Sequence, residues 1–471
     1  MGKGDNALRR GQGGRGRGGG ATPHDQAADI VAELLRAKDQ RSRGASIKSL
    51  VYGKNVLNKK AVYALCCETL KHLNIIKEVL KESEFSLLSG GKDGAKGNRA
   101  SFPMAPTRKA GLVYVWVYEL LFGQWKKIPK FRKFTPVAKQ EDLLREAHGA
   151  VKTKASTSGA ADPLLSPLES KTFPRYLRVN TLKLSVDEAY AKLAAQYGSD
   201  QVKRNKFLDD VLELPPTIRL YDHEMIRGGS LIQQGLSSCM PVHALKPLLR
   251  TWTLLDACSA PGNKTTQLAA HLAGTEDPSS GALGQIFAFD LDPKRFQRLY
   301  KNVKHCGAEK IVRPELRDFL SVDPLKETKF AEVRAILLDP SCSGSGTVHS
   351  RGDFLLGNTP SAWNEQTEAD KRRIDTLAAF QEKCLRHALK FPKVERVVYS
   401  TCSIHVRENE TVVASVLAEA ERLGFKLEKA LPDWPRRGFP LFDDCENLVR
   451  VNPNKDKTDG FFLALFVRDS K

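Results

Sequence analysis

Two cysteines and one aspartate are the residues of this sequence best placed for covalent chemistry, because each stands where an apolar run gives way to small polar residues. Cys402 lies in Tyr399-Ser400-Thr401-Cys402-Ser403, directly after Arg396-Val397-Val398. Asp339 and Cys342 lie in Asp339-Pro340-Ser341-Cys342-Ser343-Gly344-Ser345-Gly346, after Ala335-Ile336-Leu337-Leu338. An apolar run ending this way reads as a buried parallel strand whose carboxyl end opens onto a crevice, where α/β folds place their chemistry. A thiolate there could attack an electron-poor carbon, a neighbouring carboxyl could hold the substrate's edge, and a second thiol could help dismantle the covalent intermediate. A strand-end cysteine taken alone is more often small buried filler, so the surrounding elements must decide.

From Trp252 onward those elements repeat as strand, glycine turn and helix, the sequence form of a doubly wound, Rossmann-like α/β sheet. Strand one, Thr253-Leu254-Leu255, ends at Asp256 and opens into DACSAPGNKTT, where Cys258, Ser259, Ala260, Pro261, Gly262, Asn263 and Lys264 precede a helix. Small residues there let backbone amides approach a ligand at a helix amino terminus. The pattern is not GxGxxG, so a dinucleotide fits less well than another adenosine ligand. Strand two, residues 285–289, ends in Asp290, the place where such folds hold a ribose by its hydroxyls. Strand three, residues 311–316, leads to Asp318, which could accept a hydrogen bond from an adenine amino group or be an ordinary exposed loop aspartate. Strands four and five deliver Cys342 and Cys402, and GFFLALFV from Gly460 closes the sheet. Strands four and five end side by side, so both cysteines and Asp339 are expected in one crevice bordered by the strand-one loop. A Cys342–Cys402 disulfide is a competing reading. Cys66 and Cys384 fall on apolar helical stripes and are expected in cores; His349 and His405 are assigned no role.

The chain of 471 residues exceeds a single ordinary core, and 74 Lys and Arg against 55 Asp and Glu give a net charge of +19. That excess points to a polyanionic partner, most simply nucleic acid. Nine scattered cysteines without paired metal spacing suggest reduced thiols and no metal. No apolar run reaches the roughly 18 residues of a membrane span, and no apolar segment follows Met1, so neither membrane insertion nor secretion is expected. The expected organisation is a disordered Gly/Arg-rich tail at 1–45 and a helical N-terminal domain at 46–149, which includes a single helix over 58–80 bearing Val62, Cys66, Leu73, Ile76 and Leu80. A linker at 150–166, a small α/β RNA-recognition-like module at 167–247 and the catalytic domain at 248–471 follow. The tail could bind RNA through charge and guanidinium stacking, or only solubilise. The basic-aromatic stretch from Trp125 to Phe134 could stack bases, or be a solvated helix edge.

One reaction uses all of these parts. Carbon 5 of cytosine is a poor nucleophile until a thiolate adds to carbon 6; it then takes a methyl group from S-adenosylmethionine, and the carbon 5 proton must leave before the thiolate can depart. DACSAPGNKT, AFDLDPKR, LLDPSCSGSG and YSTCS resemble, in order and spacing, the NSUN (nucleolar-antigen/Sun) family of RNA cytosine-5 methyltransferases, over roughly residues 170–471 and including PRYLRVNTLK and GFFLALF. The resemblance implies a class I methyltransferase fold, Cys402 as nucleophile and Cys342 assisting release. It also implies S-adenosylmethionine contacts from Cys258 to Lys264 and at Asp290, Arg295, Asp318 and Asp339. Most relatives have Pro directly before the release cysteine, whereas Pro340 and Ser341 give DPSC here. This departure resembles the fifth NSUN subgroup, whose members are similar to nucleolar enzymes acting on large-subunit ribosomal RNA. The expectation is therefore a monomeric nuclear, nucleolar rRNA methyltransferase, with tRNA or mRNA methylation and a largely non-catalytic ribosome-assembly factor as alternatives.

Overall fold

The computed structural model describes residues 22–39, 47–53, 55–85, 107–123, 135–157, 173–220, 222–275, 282–347 and 368–468. The chain divides into two compact units, residues 1–169 and, in the main, residues 170–471.

The first unit is helical in its described residues. Pro23–Asp39, Lys59–Lys71, Leu73–Glu82, Arg108–Leu121 and Glu141–Thr157 are its longer helices. Residues 23–39, expected within the tail, are a helix because the Gly/Arg composition stops before them. Ala27, Ala28, Ile30, Val31, Leu34 and Leu35 then recur at helical spacing and are buried. The expected linker likewise begins as helix, through Thr157, and the single helix expected over 58–80 breaks at His72. There the His72 backbone N–H and ring turn back onto the Glu68 carbonyl. Cys66 is fully buried, and burial pushes its thiol up to about 12. Residues 1–21, 124–134 and 158–166 lie outside the described residues, and with them the RGG-like tract and the basic-aromatic stretch.

The second unit holds two sheets. β1 (Arg175–Val179), β2 (Lys203–Arg204), β3 (Val211–Leu214) and β4 (Leu231–Gln233) form an antiparallel sheet in the order β2-β3-β1-β4. The helix Val186–Tyr197 packs on it, started by a Ser185–Glu188 capping box. Arg178 of β1 points away from that core and is fully buried, donating to Gln234 Oε1 (2.9 Å), Thr266 Oγ1 (3.0 Å) and the Asn263 carbonyl (3.3 Å). The small sheet is thereby tied to the loop after the first strand of the larger one.

The larger sheet runs β10-β12-β9-β8-β5-β6-β7. Its parallel core is β5 (Thr253–Asp256), β6 (Ile286–Asp290), β7 (Val312–Leu316), β8 (Val333–Leu338) and β9 (Arg396–Thr401). β12 (Phe461–Arg468) lies antiparallel to β9, with β10 (Phe425–Glu428) and β11 (Val449–Val451) pairing to it. Side chains alternate faces: Leu254, Leu337 and Val398 join one apolar core, Leu255, Ile336, Leu338, Val397 and Tyr399 the other. Register sets the site. Asp256 pairs with Leu337 and Leu337 with Val398, so β5 ends at this row, β8 just past it at Leu338, and β9 runs on to Thr401.

Candidate active site

Two residues past that row, β8 has left the sheet while β9 continues beside β12. Asp339 follows β8, Ser400 stands opposite it in β9, and the Ser400 hydroxyl donates to Asp339 Oδ1 at 2.9 Å. Beyond them Cys342 Sγ and Cys402 Sγ lie 3.1 Å apart, half-buried and not joined in a disulfide. The loops that carry them are stitched together: the Gly346 N–H donates to the Cys402 carbonyl and the Gly460 N–H to the Gly346 carbonyl, each at 2.9 Å. Gly346 is required there, since a Cβ would lie 2.1 Å from the Gly460 carbonyl oxygen. Three hydroxyls, Ser343, Ser345 and Ser403, meet at 3.0–3.2 Å and tie the same two loops.

Lys264 brings charge to this crevice. Its ammonium sits 2.7 Å from Asp339 Oδ2 and donates to Ser238 Oγ at 3.2 Å. Burial works against that charge, but Asp339 and then Cys402 hold the ammonium protonated, above its usual range. The hydrogen bond to Cys402, then burial, then the charges of Cys402, Asp339 and Glu408 push the Cys342 thiol well above its ordinary value. Such a shift favours the neutral thiol form of Cys342. Burial does the same to Cys258 in the strand-one loop.

That loop forms a cleft with Asp339. Cys258, Ser259, Ala260, Pro261, Asn263 and Lys264 line it, joined by Ser238, Asp256 and Leu337. Gly262 adopts φ +101°, the left-handed region that suits glycine, and starts the helix Asn263–Gly274. Asp290 accepts from the Ala260 N–H at 3.2 Å and faces Arg295 at 3.3 Å, while Arg295 donates to the Ala260 carbonyl at 2.8 Å. These two residues thus brace the loop from behind β6. Asp318 caps the short turn Phe319–Ser321 through the Leu320 N–H, a strand further out than the cleft. Burial pushes Asp256 up to about 7, the Thr265 hydroxyl and Lys264 pulling it back and Asp339 adding to the rise. Its Oδ1 is buried without a hydrogen-bond partner, so the cleft keeps an acceptor for a donor such as an ammonium. A cationic, amino-bearing cofactor such as S-adenosylmethionine fits that acceptor and the adjoining Asp339 carboxylate.

Sequence reasoning missed Ser238, Asp256 as a cleft residue, and Glu408. Asp256 carried a signal, since it ends strand one; Ser238 comes from the other sheet's following helix and carried none. A further cluster, Asp209, Asp210, His243 and His271, has ligand atoms within 4.8 Å of one another, as a metal site would. Its geometry is already that of a hydrogen-bonded knot: His243 Nε2 and His271 Nε2 lie 2.7 and 2.9 Å from Asp210, which also accepts from Gln267 at 3.0 Å. Burial works to raise Asp210, and the two histidine contacts overcome it, so its carboxyl sits well below the usual range.

Comparison with known proteins shows the chain's family. The family described as 16S rRNA methyltransferase RsmB/F matches residues 242–467. The chain is 43% identical to a 25S rRNA (cytosine-C(5))-methyltransferase, NSUN5, of Arabidopsis thaliana over 95% of this chain and 73% of that protein. It is 35% identical to a 28S rRNA (cytosine-C(5))-methyltransferase of Mus musculus over 91% of this chain and 88% of the relative. The crystal structure of PH0851 superposes with a TM-score of 0.58 at 22% identity, covering 94% of this chain and 99% of the other, which shows the shared fold. Among the described residues, no helix is long and apolar enough to cross a membrane.

Proposed function

Because the chain belongs to the NSUN5-type rRNA (cytosine-C(5))-methyltransferases, we propose that it methylates carbon 5 of a cytosine in large-subunit ribosomal RNA through a covalent Cys402 adduct. The observation that carries the reading is the Cys342–Cys402 pair at 3.1 Å, on loops after adjacent parallel strands and beside the Asp339–Lys264 ion pair. The enzyme uses S-adenosylmethionine, which supplies an electrophilic methyl group when bound. Residues 258–264 together with Asp256 and Asp339 would hold it, with Asp290 and Arg295 bracing that loop.

This chain's own residues account for the remaining steps. The Cys402 thiolate, stabilised by the nearby Lys264 ammonium, forms a bond to carbon 6 and turns carbon 5 into a nucleophile. Asp339, held by Ser400 and Lys264, faces the ring's nitrogen edge and favours that addition. Bond formation also changes Cys342. The hydrogen bond to Cys402, then burial, then the charge of Cys402 raise its thiol, and a Cys402 thioether can no longer supply that charge. Cys342 then gives up its proton to solvent more readily, and its thiolate takes the carbon 5 proton as the electrons of that carbon–hydrogen bond re-form the carbon 5–carbon 6 double bond and expel the Cys402 thiolate. The target base must leave its stack for the thiolate to reach carbon 6. A net charge of +19 supports RNA as the partner, and the rRNA substrate supports a nucleolar location for a protein acting as a monomer.

Bisulfite sequencing of rRNA tests this reading in cells lacking the protein and in cells re-supplied with it. One large-subunit cytosine should lose its signal on deletion and regain it with the wild type but not with Cys402→Ala. An unchanged rRNA profile would overturn the substrate assignment.

A further inference from the structure

Glu408 is a fully buried carboxylate. Among the described residues it takes part in no ion pair, whereas Glu410, two positions on, is held bidentately by Arg450. A buried carboxylate satisfied only by neutral donors is costly to keep. The donors identify what it does. Oε1 accepts from the Ser343 backbone N–H at 2.8 Å and from Gln381 Nε2 at 3.1 Å, and Oε2 accepts from the Ser403 hydroxyl at 2.6 Å. Ser343 directly follows Cys342 and Ser403 directly follows Cys402, so one side chain grips both cysteine loops at the neighbouring residue. Gln381 extends the grip, since its amide also donates to the Ser341 carbonyl at 3.0 Å, on the other side of Cys342. Tyr399, two residues before the β9 loop leaves the strand, closes the ring by donating to Gln381 Oε1 and to the Glu408 carbonyl.

The charge has a directional consequence. A carboxylate can only accept, so the Ser403 hydroxyl must donate to it, which leaves Ser403 Oγ free to accept from the His405 N–H at 3.0 Å and from the Ser343 hydroxyl at 3.2 Å. A glutamine could satisfy the same donors only by turning one contact around, and the serine cluster would lose its single orientation.

We propose that Glu408 is a positioning residue for product release: by holding the Cys342 loop against the Cys402 loop it keeps Cys342 aligned with the Cys402 adduct after methyl transfer. The proposal rests on the assignment of Cys402 as nucleophile and Cys342 as release cysteine. Attack needs only Cys402, whose strand is independently fixed by its pairing with β12. Release needs both loops in register, and Glu408 is the contact they share.

The test compares Glu408→Gln and Ser403→Ala with wild type on an rRNA fragment containing the target cytosine. A single round of transfer from methyl-labelled cofactor is measured alongside multiple turnover and the fraction of protein shifted on a denaturing gel. With one buried charged hydrogen bond lost, Glu408→Gln should turn over about tenfold or more slowly and accumulate the denaturation-resistant adduct. Its first round and its cofactor affinity should stay near wild type. Ser403→Ala, a smaller change at the other end of the same contact, should show the same split more weakly, and it decides the matter should Glu408→Gln not fold. A merely structural role would instead lower the first round, cofactor affinity and thermal midpoint together with no adduct, and that result overturns the proposal, as does wild-type turnover in both variants. Cys402→Ala separates this from the underlying assignment: adduct in that variant would refute the nucleophile rather than the role of Glu408.

Discussion

Replacing Lys264 with Met removes the ammonium paired with Asp339 while keeping the length and apolar stem of the side chain. The ion pair is 2.7 Å long, with side chains 14% and 26% exposed for Lys264 and Asp339. Breaking a fully buried pair costs about 3–5 kcal/mol; partial exposure of Asp339 discounts this to about 1–3 kcal/mol. Expressed on the transition state, where Cys402 must be a thiolate beside that carboxylate, this is roughly a tenfold to hundredfold loss in first-round methyl transfer. The direction with pH follows from the same charges. The charge of Cys402 helps to hold the Lys264 ammonium, so without that ammonium the thiolate loses a stabilising charge and the rising limb of the rate profile should move to higher pH. The assay is single-round transfer of labelled methyl to an rRNA fragment between pH 6 and 9, with thermal midpoints taken alongside. Partial recovery of Lys264→Met at high pH is expected. A wild-type rate at pH 7, or a loss of equal size at every pH, would refute the role given to this charge.

Two further outcomes follow from neighbouring residues. Asp256 has its folded-state value raised to about 7, so the folded protein binds the proton more tightly than the unfolded chain. Its stabilising contribution is complete below about pH 4 and is lost as pH rises through 7, up to about 4 kcal/mol in all. Asp256→Asn should therefore flatten the stability profile in urea titrations between pH 4 and 8, and an unchanged slope would contradict the assignment. Gly346→Ala places a methyl group against the Gly460 and Cys402 carbonyl oxygens; it should destabilise by about 1–3 kcal/mol and reduce turnover far more than that loss of folded protein explains, because the displaced loop carries Cys342 and packs on the Cys402 loop.

What the sequence disclosed depended on whether the signal was local. The β5, β6, β8 and β9 strands were legible because each is an apolar run closed by a polar residue, and the shared crevice followed from adjacency alone. The break at His72 was not legible, since neither glycine nor proline marks it; it comes from a histidine ring turning back on a carbonyl. The helix at 23–39 was hidden beside a Gly/Arg tract whose composition dominated the whole segment. Lys264 was placed in the cofactor loop by resemblance, and only the fold shows it reaching Asp339. Glu408 gave no sequence signal because its partners, Ser343, Gln381 and Ser403, come from three separate elements. Its burial exists only in the folded chain.

The central claim is the division of labour between the two cysteines, and trapping tests it most directly. Cys402→Ala and Cys342→Ala are each incubated with cofactor and the rRNA fragment, then resolved under denaturing conditions. Cys342→Ala should carry a covalently attached RNA band and Cys402→Ala neither band nor methyl transfer; a band that persists in Cys402→Ala would contradict the account.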